Sequence, residues 1–103
     1  MTKEEMRILD LEGAIIGKWE RNEGVIMFFH PIFPTRTGGK VDIINNQVFN
    51  TLAYELYIHD NNPWLRITDN ENDQIKEYEI VLITTAKVLK LKNKEGQIFD
   101  FHP

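Results

Sequence analysis

The stretch YELYIHDNNPWLRI, residues 54–67, alternates apolar and polar side chains on both sides of a turn. Residues two apart in a strand share a face, so the apolar faces here are formed by Tyr54, Leu56 and Ile58, then by Leu65 and Ile67. The DNNP segment between them, 60–63, has residue types that tolerate a tight turn. The pattern predicts two antiparallel strands, each with one apolar and one wet face.

Similar short runs, rich in β-branched and aromatic residues, continue from residue 17 to the end of the chain. They predict strands over residues 17–22, 25–30, 40–44, 47–58 with an irregularity, 64–68, 74–84, 87–92 and 97–102. Because the loops between them are too short for parallel crossovers, the strands are expected to pair antiparallel in chain order. We therefore predict a mainly β fold, an eight-stranded antiparallel up-and-down barrel, in which closure removes the unpaired edges.

A short helix is predicted before the first strand, over residues 2–12. Thr2 and Glu5 have the spacing of a capping box, and Gly13 stands where a helix could stop. A helix of about three turns is marginal alone and needs a surface to lie on. The chain is thus predicted to be a single domain, 1–103, in which an N-terminal helical segment, 1–13, packs on the barrel.

The segment YEIVLIT, residues 78–84, departs from strict alternation because four apolar residues follow one another from Ile80 to Ile83. Continued alternation assigns Tyr78, Ile80 and Leu82 to the interior and turns Val81 and Ile83 outward. The outward residues need a cover, and the apolar side of the helix, with Met6 and Leu9, is predicted to supply it. Alternatively, the patch is a homodimer interface formed by Val81, Ile83 and Val88.

Composition narrows the classes of function. The formal net charge of -4 disfavours nucleic acid as a partner, since backbone binding depends on clustered Lys and Arg. The chain has no cysteine, so it has no disulfide, thiolate metal site or cysteine nucleophile. No segment approaches the length of a membrane span, and the N-terminus lacks an apolar signal core. We expect a cytoplasmic protein if the chain is complete, and a periplasmic or secreted one if a leader was removed.

The candidate motifs for metals and catalysis do not meet the requirements of their sites. DNEND, 69–73, begins like a calcium loop, but Gln74 and Ile80 stand where that loop needs Gly and Glu. His30, His59 and His102 have no metal-ligand spacing, and no nucleophile motif is present. We predict no catalytic residue, no metal and no cofactor. TRTGGK, 35–40, is predicted to be a loop rather than a phosphate cradle.

Two segments give the chain a resemblance to a known family. GKWE, 17–20, follows a short helix, and the meander ends with YEIVLITTAKVLKLK, 78–92, and IFDFHP, 98–103. The chain resembles the small bacterial lipocalin-like domains of the calycin type. The Gly-x-Trp motif matches Gly17, Lys18 and Trp19, and the late family pattern matches Tyr78, Ile80, Ile83, Thr84, Leu89 and Leu91. The chain departs from the family at its end, where His102 and Pro103 stand in place of an Arg.

The resemblance implies that Trp19 closes one end of the barrel and that the interior binds a small hydrophobic ligand, without catalysis. The candidate ligand-binding residues are Tyr54, Leu56, Tyr78, Ile80, Leu89, Phe99 and Phe101, and the candidate mouth-loop residues are Phe33 and Arg36. The same interior residues could instead form a plain packed core, since an eight-stranded barrel is just wide enough for either. In that alternative the barrel is a protein-protein interaction or assembly module that uses its outer apolar face.

Overall fold

A computed structural model of the chain describes residues 2–21, 24–31, 39–84 and 87–103. One helix precedes eight antiparallel strands, and each strand pairs with the next along the chain. The elements are α1 (Lys3–Ile15), β1 (Gly17–Arg21), β2 (Val25–Phe29), β3 (Gly39–Asn45), β4 (Val48–His59), β5 (Asn62–Asp69), β6 (Gln74–Thr84), β7 (Val88–Lys92) and β8 (Ile98–Phe101). The predicted fold class is confirmed.

The first and last strands bring the sheet almost to closure. The Glu20 backbone N–H donates to the His102 carbonyl at 2.6 Å, and the His102 N–H donates back to the Glu20 carbonyl at 2.9 Å. All the other neighbouring strands are joined by ladders of several residue pairs, whereas β1 and β8 are joined by this single bridge. The eight strands therefore enclose one interior, as a nearly closed barrel.

Two of the hairpin turns use residues in the left-handed region of backbone space. Asn46 and Gln47 join β3 to β4 with φ of 50° and 70°, and Asp60 and Asn61 join β4 to β5 with φ of 50° and 65°. Two central residues with positive φ are typical of the tight hairpin turn whose twist matches the flanking strands. These turns fix the register of β4 with β3 and with β5. The predicted irregularity in β4 is absent from both ladders.

The barrel has two different ends. At one end, which we call the mouth, lie the turns 46–47, 70–73 and 93–97. The other end, which we call the helix end, contains the junction between α1 and β1 and also the β4–β5 turn. Arg7 of α1 reaches this turn, where its Nη1 donates to the backbone and side-chain oxygens of Asn61, both at 3.0 Å. The helix is thereby held at one end of the barrel.

The helix begins as predicted and ends later than predicted. The Glu5 N–H donates to Thr2 Oγ1 and the Thr2 N–H donates to Glu5 Oε1, which completes the capping box. Gly13 does not stop the helix, which continues through Ile15. Ile15 is fully buried, and its burial outweighs the cost of about 1 kcal/mol for a glycine inside a helix. The chain instead turns at Gly17, where φ is 115°.

The helix packs on the barrel through Leu11 and Ile15, and it leaves Val81 uncovered. Leu11 and Ile15 belong to the barrel's hydrophobic core, and the indole Nε1 of Trp19 donates to the Ile15 carbonyl at 2.8 Å. Met6 is 56% exposed and Val81 is 48% exposed, so the predicted cover of Val81 by Met6 is wrong. The burial of Leu11 and Ile15 is worth more than that of an outer patch, because it seals the open interior of the barrel.

Among the described residues, no helix has the length and apolar character needed to cross a bilayer.

A β-bulge in β6 explains the unbroken apolar run. The pairing of β6 with β7 shifts between Ile80 and Leu82, after which Leu82 lies opposite Lys90 and Ile83 opposite Leu89. Paired residues on antiparallel strands share a face, so Ile83 lies inward with fully buried Leu89 and packs against the core. Leu82 is 43% exposed. The prediction that Leu82 is interior and Ile83 outward is wrong, because a bulge adds one residue to the alternation.

Because of the bulge, substitutions at the adjacent residues Leu82 and Ile83 are expected to have different effects on stability. Ile83→Asp should lower the free energy of unfolding by about 3 kcal/mol, because the partly buried Ile83 packs against the core and a charge there loses part of its solvation. Leu82→Asp should change it by less than about 1 kcal/mol, because the new carboxylate meets solvent. Urea unfolding of both variants measures the difference. Equal losses, or a larger loss for Leu82→Asp, would contradict the inward placement of Ile83.

Candidate functional site

The interior of the barrel is solid at the helix end and hollow at the mouth. Fully buried side chains fill the helix end, among them Phe29, Val41 and Leu89 together with Ile15 of the helix. Toward the mouth the interior leaves a cavity of about 420 Å³. This volume lies within the range of about 300–1,000 Å³ that is usual for small-molecule sites.

The walls of the cavity are apolar. They are formed by side chains that alternate along seven of the strands, namely Val25, Met27, Ile43, Leu52, Ile67, Tyr78, Leu91, Phe99 and Phe101. Met27, Ile67, Leu91 and Phe101 are buried, and the others are partly buried. Tyr78 and Phe99 meet edge to face, with ring centroids 6.3 Å apart, a favourable aromatic geometry. A ligand in this space would exchange water contacts for contacts with carbon.

The mouth of the cavity is polar. Its lining residues are Arg21, Asn45, Asn50, Asp69, Gln74 and Lys76. Lys76 lies directly opposite the wall residue Ile67 in the β5–β6 ladder, and Gln74 lies opposite Asp69. The inward stripes of these strands therefore change from apolar to polar within two residues. An apolar interior beneath a few oriented polar groups is the usual composition of a ligand site.

The residues predicted to bind a ligand divide between the cavity and the packed core. Tyr78, Phe99 and Phe101 line the cavity. The remaining four, Tyr54, Leu56, Ile80 and Leu89, are buried in the core outside the cavity lining. The Tyr54 hydroxyl donates to the His30 carbonyl at 2.6 Å, and burial, with a smaller effect of the nearby Glu12 charge, raises its pKa to about 12. Tyr54 thus holds the helix end of the barrel together.

The predicted mouth-loop residues Phe33 and Arg36 lie outside the described residues. The strand ends that flank their segment, Phe29 and Gly39, lie at the helix end of the barrel. The mouth of the cavity is at the opposite end, beside Asn45.

Arg21 is a cavity residue that the sequence-based reasoning missed. Its guanidinium carbon lies 4.6 Å from the centroid of the Phe99 ring and 5.9 Å from that of Phe101. Such a position over a ring face is a cation–π contact, which holds the cation against an otherwise apolar wall. A signal was present in the sequence: Arg21 is two residues after Trp19, on the same inward stripe of β1.

A polar cluster on the outer surface of β4, β5 and β6 supports the strand that carries Lys76 and Tyr78. Glu77, between them, accepts a hydrogen bond from the Tyr57 hydroxyl and a second one from Lys94 Nζ at 3.1 Å. Arg66 lies 4.6 Å above the Tyr57 ring and donates to Glu55 at 2.7 Å. The Tyr57 hydrogen bond, followed by the Lys94 contact, lowers the pKa of Glu77 to about 2. The outer anchoring of Glu77 orients its two neighbours toward the cavity.

A second polar group lies outside the barrel, between β2, β3 and β4. His30 Nε2 and Asp42 Oδ2 are 2.6 Å apart, and Thr51 Oγ1 donates to Asp42 Oδ1 at 2.7 Å. These two contacts, with that of His30 the larger, lower the pKa of Asp42. Both partners contact the carboxylate, whereas an activated nucleophile would contact the imidazole. His30, Asp42 and Thr51 are therefore not arranged in the nucleophile–histidine–carboxylate order of a catalytic triad.

The histidines have separate surroundings. His59 Nε2 lies 3.3 Å from Asp60, and His102 Nδ1 lies 3.3 Å from the Pro103 carbonyl. Within the described ranges, no three His, Cys, Asp or Glu side chains converge as a metal site. The DNEND segment forms a turn in which Asp69 accepts hydrogen bonds from the Glu71 and Asn72 backbones and from the Asn72 side chain.

Comparisons of the chain with protein-family models, with curated proteins and with solved structures find no match.

The Glu77 contacts predict a pH dependence of stability. The pKa of Glu77 in the folded protein, about 2, is below its ordinary value of 4.5. Its stabilising contribution is therefore fully present above about pH 4.5 and is lost as the pH falls through about 2. Carbon-detected NMR titration of the Glu77 carboxyl should give a midpoint near 2, and Tyr57→Phe should raise that midpoint. A wild-type midpoint near 4.5 would contradict the cluster.

Proposed function

We propose that this protein is a non-catalytic binding module that holds a small, largely apolar ligand in the mouth half of its barrel. The observation that carries the proposal is the cavity of about 420 Å³ with apolar walls and a polar rim. The solid helix end leaves the ligand one direction of entry. Burial of a methylene group is worth about 0.8 kcal/mol, so a chain of eight carbons provides enough free energy for measurable binding.

The resemblance to lipocalin-like domains supports the same proposal. Trp19 of the Gly-x-Trp segment is 2% exposed and contacts the helix at the closed end, the position that the resemblance implies for this residue. Membership of the lipocalin-like family is part of the proposal.

The proposal predicts saturable binding of 1-octanol at one site. In ¹H–¹⁵N NMR titrations, the amide signals of Met27, Ile67 and Leu91 should shift on addition of 1-octanol, because these residues line the cavity. The signals of Leu56 and Leu89, in the packed core, should move least. Dissociation constants follow from the shifts as a function of 1-octanol concentration.

Filling part of the cavity should weaken this binding. Leu52→Trp adds a large side chain to the wall, and Val25→Phe adds a smaller one. Both variants should remain folded in urea titrations and should bind 1-octanol more weakly than the wild type, with the larger side chain having the larger effect. If folded Leu52→Trp binds as well as the wild type, or if the shifts spread over the outer surface, cavity binding is disproved.

A second candidate function is assembly through the outer surface of β6. The bulge leaves two successive apolar residues outside, Val81 and Leu82, which are 48% and 43% exposed. Adjacent exposed apolar side chains favour a partner surface over solvent. The outer apolar face of this candidate consists of Val81 and Leu82, with Val88 as a partly buried neighbour, whereas Ile83 belongs to the core.

Assembly predicts a concentration-dependent mass that one substitution removes. Sedimentation velocity at several concentrations should show a dimer for the wild type and a monomer for Leu82→Asp. Ile98→Asp is the matched control, since Ile98 is also exposed but lies on β8, and it should leave the dimer intact. A wild type that stays monomeric at every concentration would disprove the assembly function.

A further inference from the structure

The end of β4 that lies at the mouth has a neighbouring strand on one side only. Residues 48–54 pair with β3, but the pairing of β4 with β5 reaches no further toward the mouth than Ala53, opposite Thr68. Residues 48–52 therefore have an unpaired side toward β5, which we call the open edge. Within the described part of the chain, no strand pairs with the open edge and no turn makes a backbone hydrogen bond to it.

The hairpin turn between β4 and β5 decides which backbone groups face the open edge. The residues that flank a two-residue turn exchange both backbone hydrogen bonds, and such pairs then alternate along the two strands. His59 and Asn62 flank this turn, so the odd-numbered residues of β4 direct their N–H and C=O groups toward β5. At the open edge these residues are Phe49 and Thr51. Their two donors and two acceptors form a template for an added strand.

The side chains of an added strand would meet two different environments. Paired residues on antiparallel strands share a face, so the residues opposite Asn50 and Leu52 would point toward the cavity, which both of these residues line. The residues opposite Phe49 and Thr51 would point outward, where the Phe49 side chain is 60% exposed. The open edge therefore favours a segment with an apolar residue at every second position.

The turn beside the open edge is acidic. β5 ends at Asp69, so the turn that follows it lies where an added strand would begin or end. Residues 69–76 contain three carboxylates and one lysine, a net charge of -2. The Asp69 carboxylate is held by hydrogen bonds from its own turn. Glu71 and Asp73 are exposed, and within the described ranges their side chains make no hydrogen bond or ion pair.

The other described charges at the mouth leave this side of the rim negative. The β7–β8 turn contains Lys94 and Glu95, whose charges balance, and Lys94 Nζ contacts Glu77 at 3.1 Å. Arg21 lies on β1, away from β4, with its guanidinium 4.6 Å from the centroid of the Phe99 ring. A positive charge on a partner would thus be attracted to the β5–β6 turn.

The position of the acidic turn also favours one strand direction. β4 runs from the mouth toward the helix end, so an antiparallel segment would begin beside the turn 70–73 and run outward. Its first residue would bring a positive charge, from an amino terminus or a basic side chain, next to the carboxylates. A parallel segment would instead bring its carboxyl end to the same place, where like charges repel.

We propose that the open edge of β4 binds an extended segment of a partner protein by antiparallel strand addition, and that this segment has a basic residue followed by alternating apolar residues. The basic residue contacts Glu71 and Asp73, and the apolar side chains lie at the cavity mouth beside Asn50 and Leu52. A second copy of this chain fits less well, because residues 46–51, which a second β4 would bring to the acidic turn, contain no cation. Backbone pairing at the open edge does not depend on small-ligand binding.

The amidated peptide Lys-Leu-Thr-Leu-Tyr is the probe, with its two leucines opposite Leu52 and Asn50. In ¹H–¹⁵N NMR titrations it should shift the amide signals of Phe49 and Thr51, and at saturation it should slow their hydrogen exchange, because both N–H groups gain an acceptor. N-methylation of the peptide threonine, which pairs with Thr51, should weaken binding about tenfold. N-methylation of the second leucine, whose N–H points away from β4, should change the affinity by less than about twofold.

Variants of the protein test the acidic turn. Glu71→Gln combined with Asp73→Asn should weaken binding of the lysine peptide about threefold. The same double variant should leave unchanged the binding of an acetylated peptide with glutamine in place of lysine. Glu95→Gln is the matched control, since it removes a carboxylate from the β7–β8 turn at the same end of the barrel, and it should leave both affinities unchanged.

The outcomes separate strand addition from the other proposals. If the peptide leaves the Phe49 and Thr51 signals unshifted, or if the two N-methylated peptides bind equally well, strand addition at β4 is wrong. Equal affinity for a peptide with glutamate in place of lysine would overturn the basic partner. Protection of the Phe49 and Thr51 amides by self-association without peptide would overturn the choice of a partner protein over a second copy. The small-ligand function is tested separately, by the Met27, Ile67 and Leu91 shifts with 1-octanol.

Discussion

The hydrogen bond from the Trp19 indole to the Ile15 carbonyl is the contact on which the rest of the barrel depends. It is buried, with the two atoms 2.8 Å apart, and an unpaired donor or carbonyl at this position would cost about 1–3 kcal/mol. The bond fixes the end of the helix to the start of the first strand, so that Leu11 and Ile15 enter the core. One end of the barrel is thereby filled, whereas the described residues leave a cavity at the mouth.

Filling the helix end also sets the depth of the cavity. Phe29, Tyr54 and Leu89 are fully buried side chains that belong to the core and not to the cavity lining. Above them the inward residues are fewer and more polar, and side-chain volume no longer fills the barrel. The outer hydrogen bonds of Glu77 hold the segment of β6 whose neighbouring residues, Lys76 and Tyr78, border the space. Core packing and the hydrogen bonds of Glu77 thus both act on the residues that border the cavity.

Alternation of side chains predicted much of this from the sequence. The eight strands, their order and the inward positions of Leu65, Ile67 and Leu91 follow from a period of two, because each strand has one wet face. The same reasoning failed at Leu82 and Ile83, since one extra residue in a bulge inverts the faces beyond it. It failed again at the helix, whose docking surface depends on distant strands, and it missed Arg21, because apolar periodicity does not mark a charged residue as inward.

By itself, the sequence determined the elements of the fold: a capped helix, the strands, the turns with their special backbone angles and the apolar stripe on each strand. These are local properties, set by the conformational preferences and spacing of nearby residues. Only the tertiary structure decided which end of the barrel is sealed, where the bulge lies and which side chains border the hollow. Those outcomes depend on the packing of residues far apart in the chain, such as Arg21 with Phe99, and no local pattern encodes such a pair.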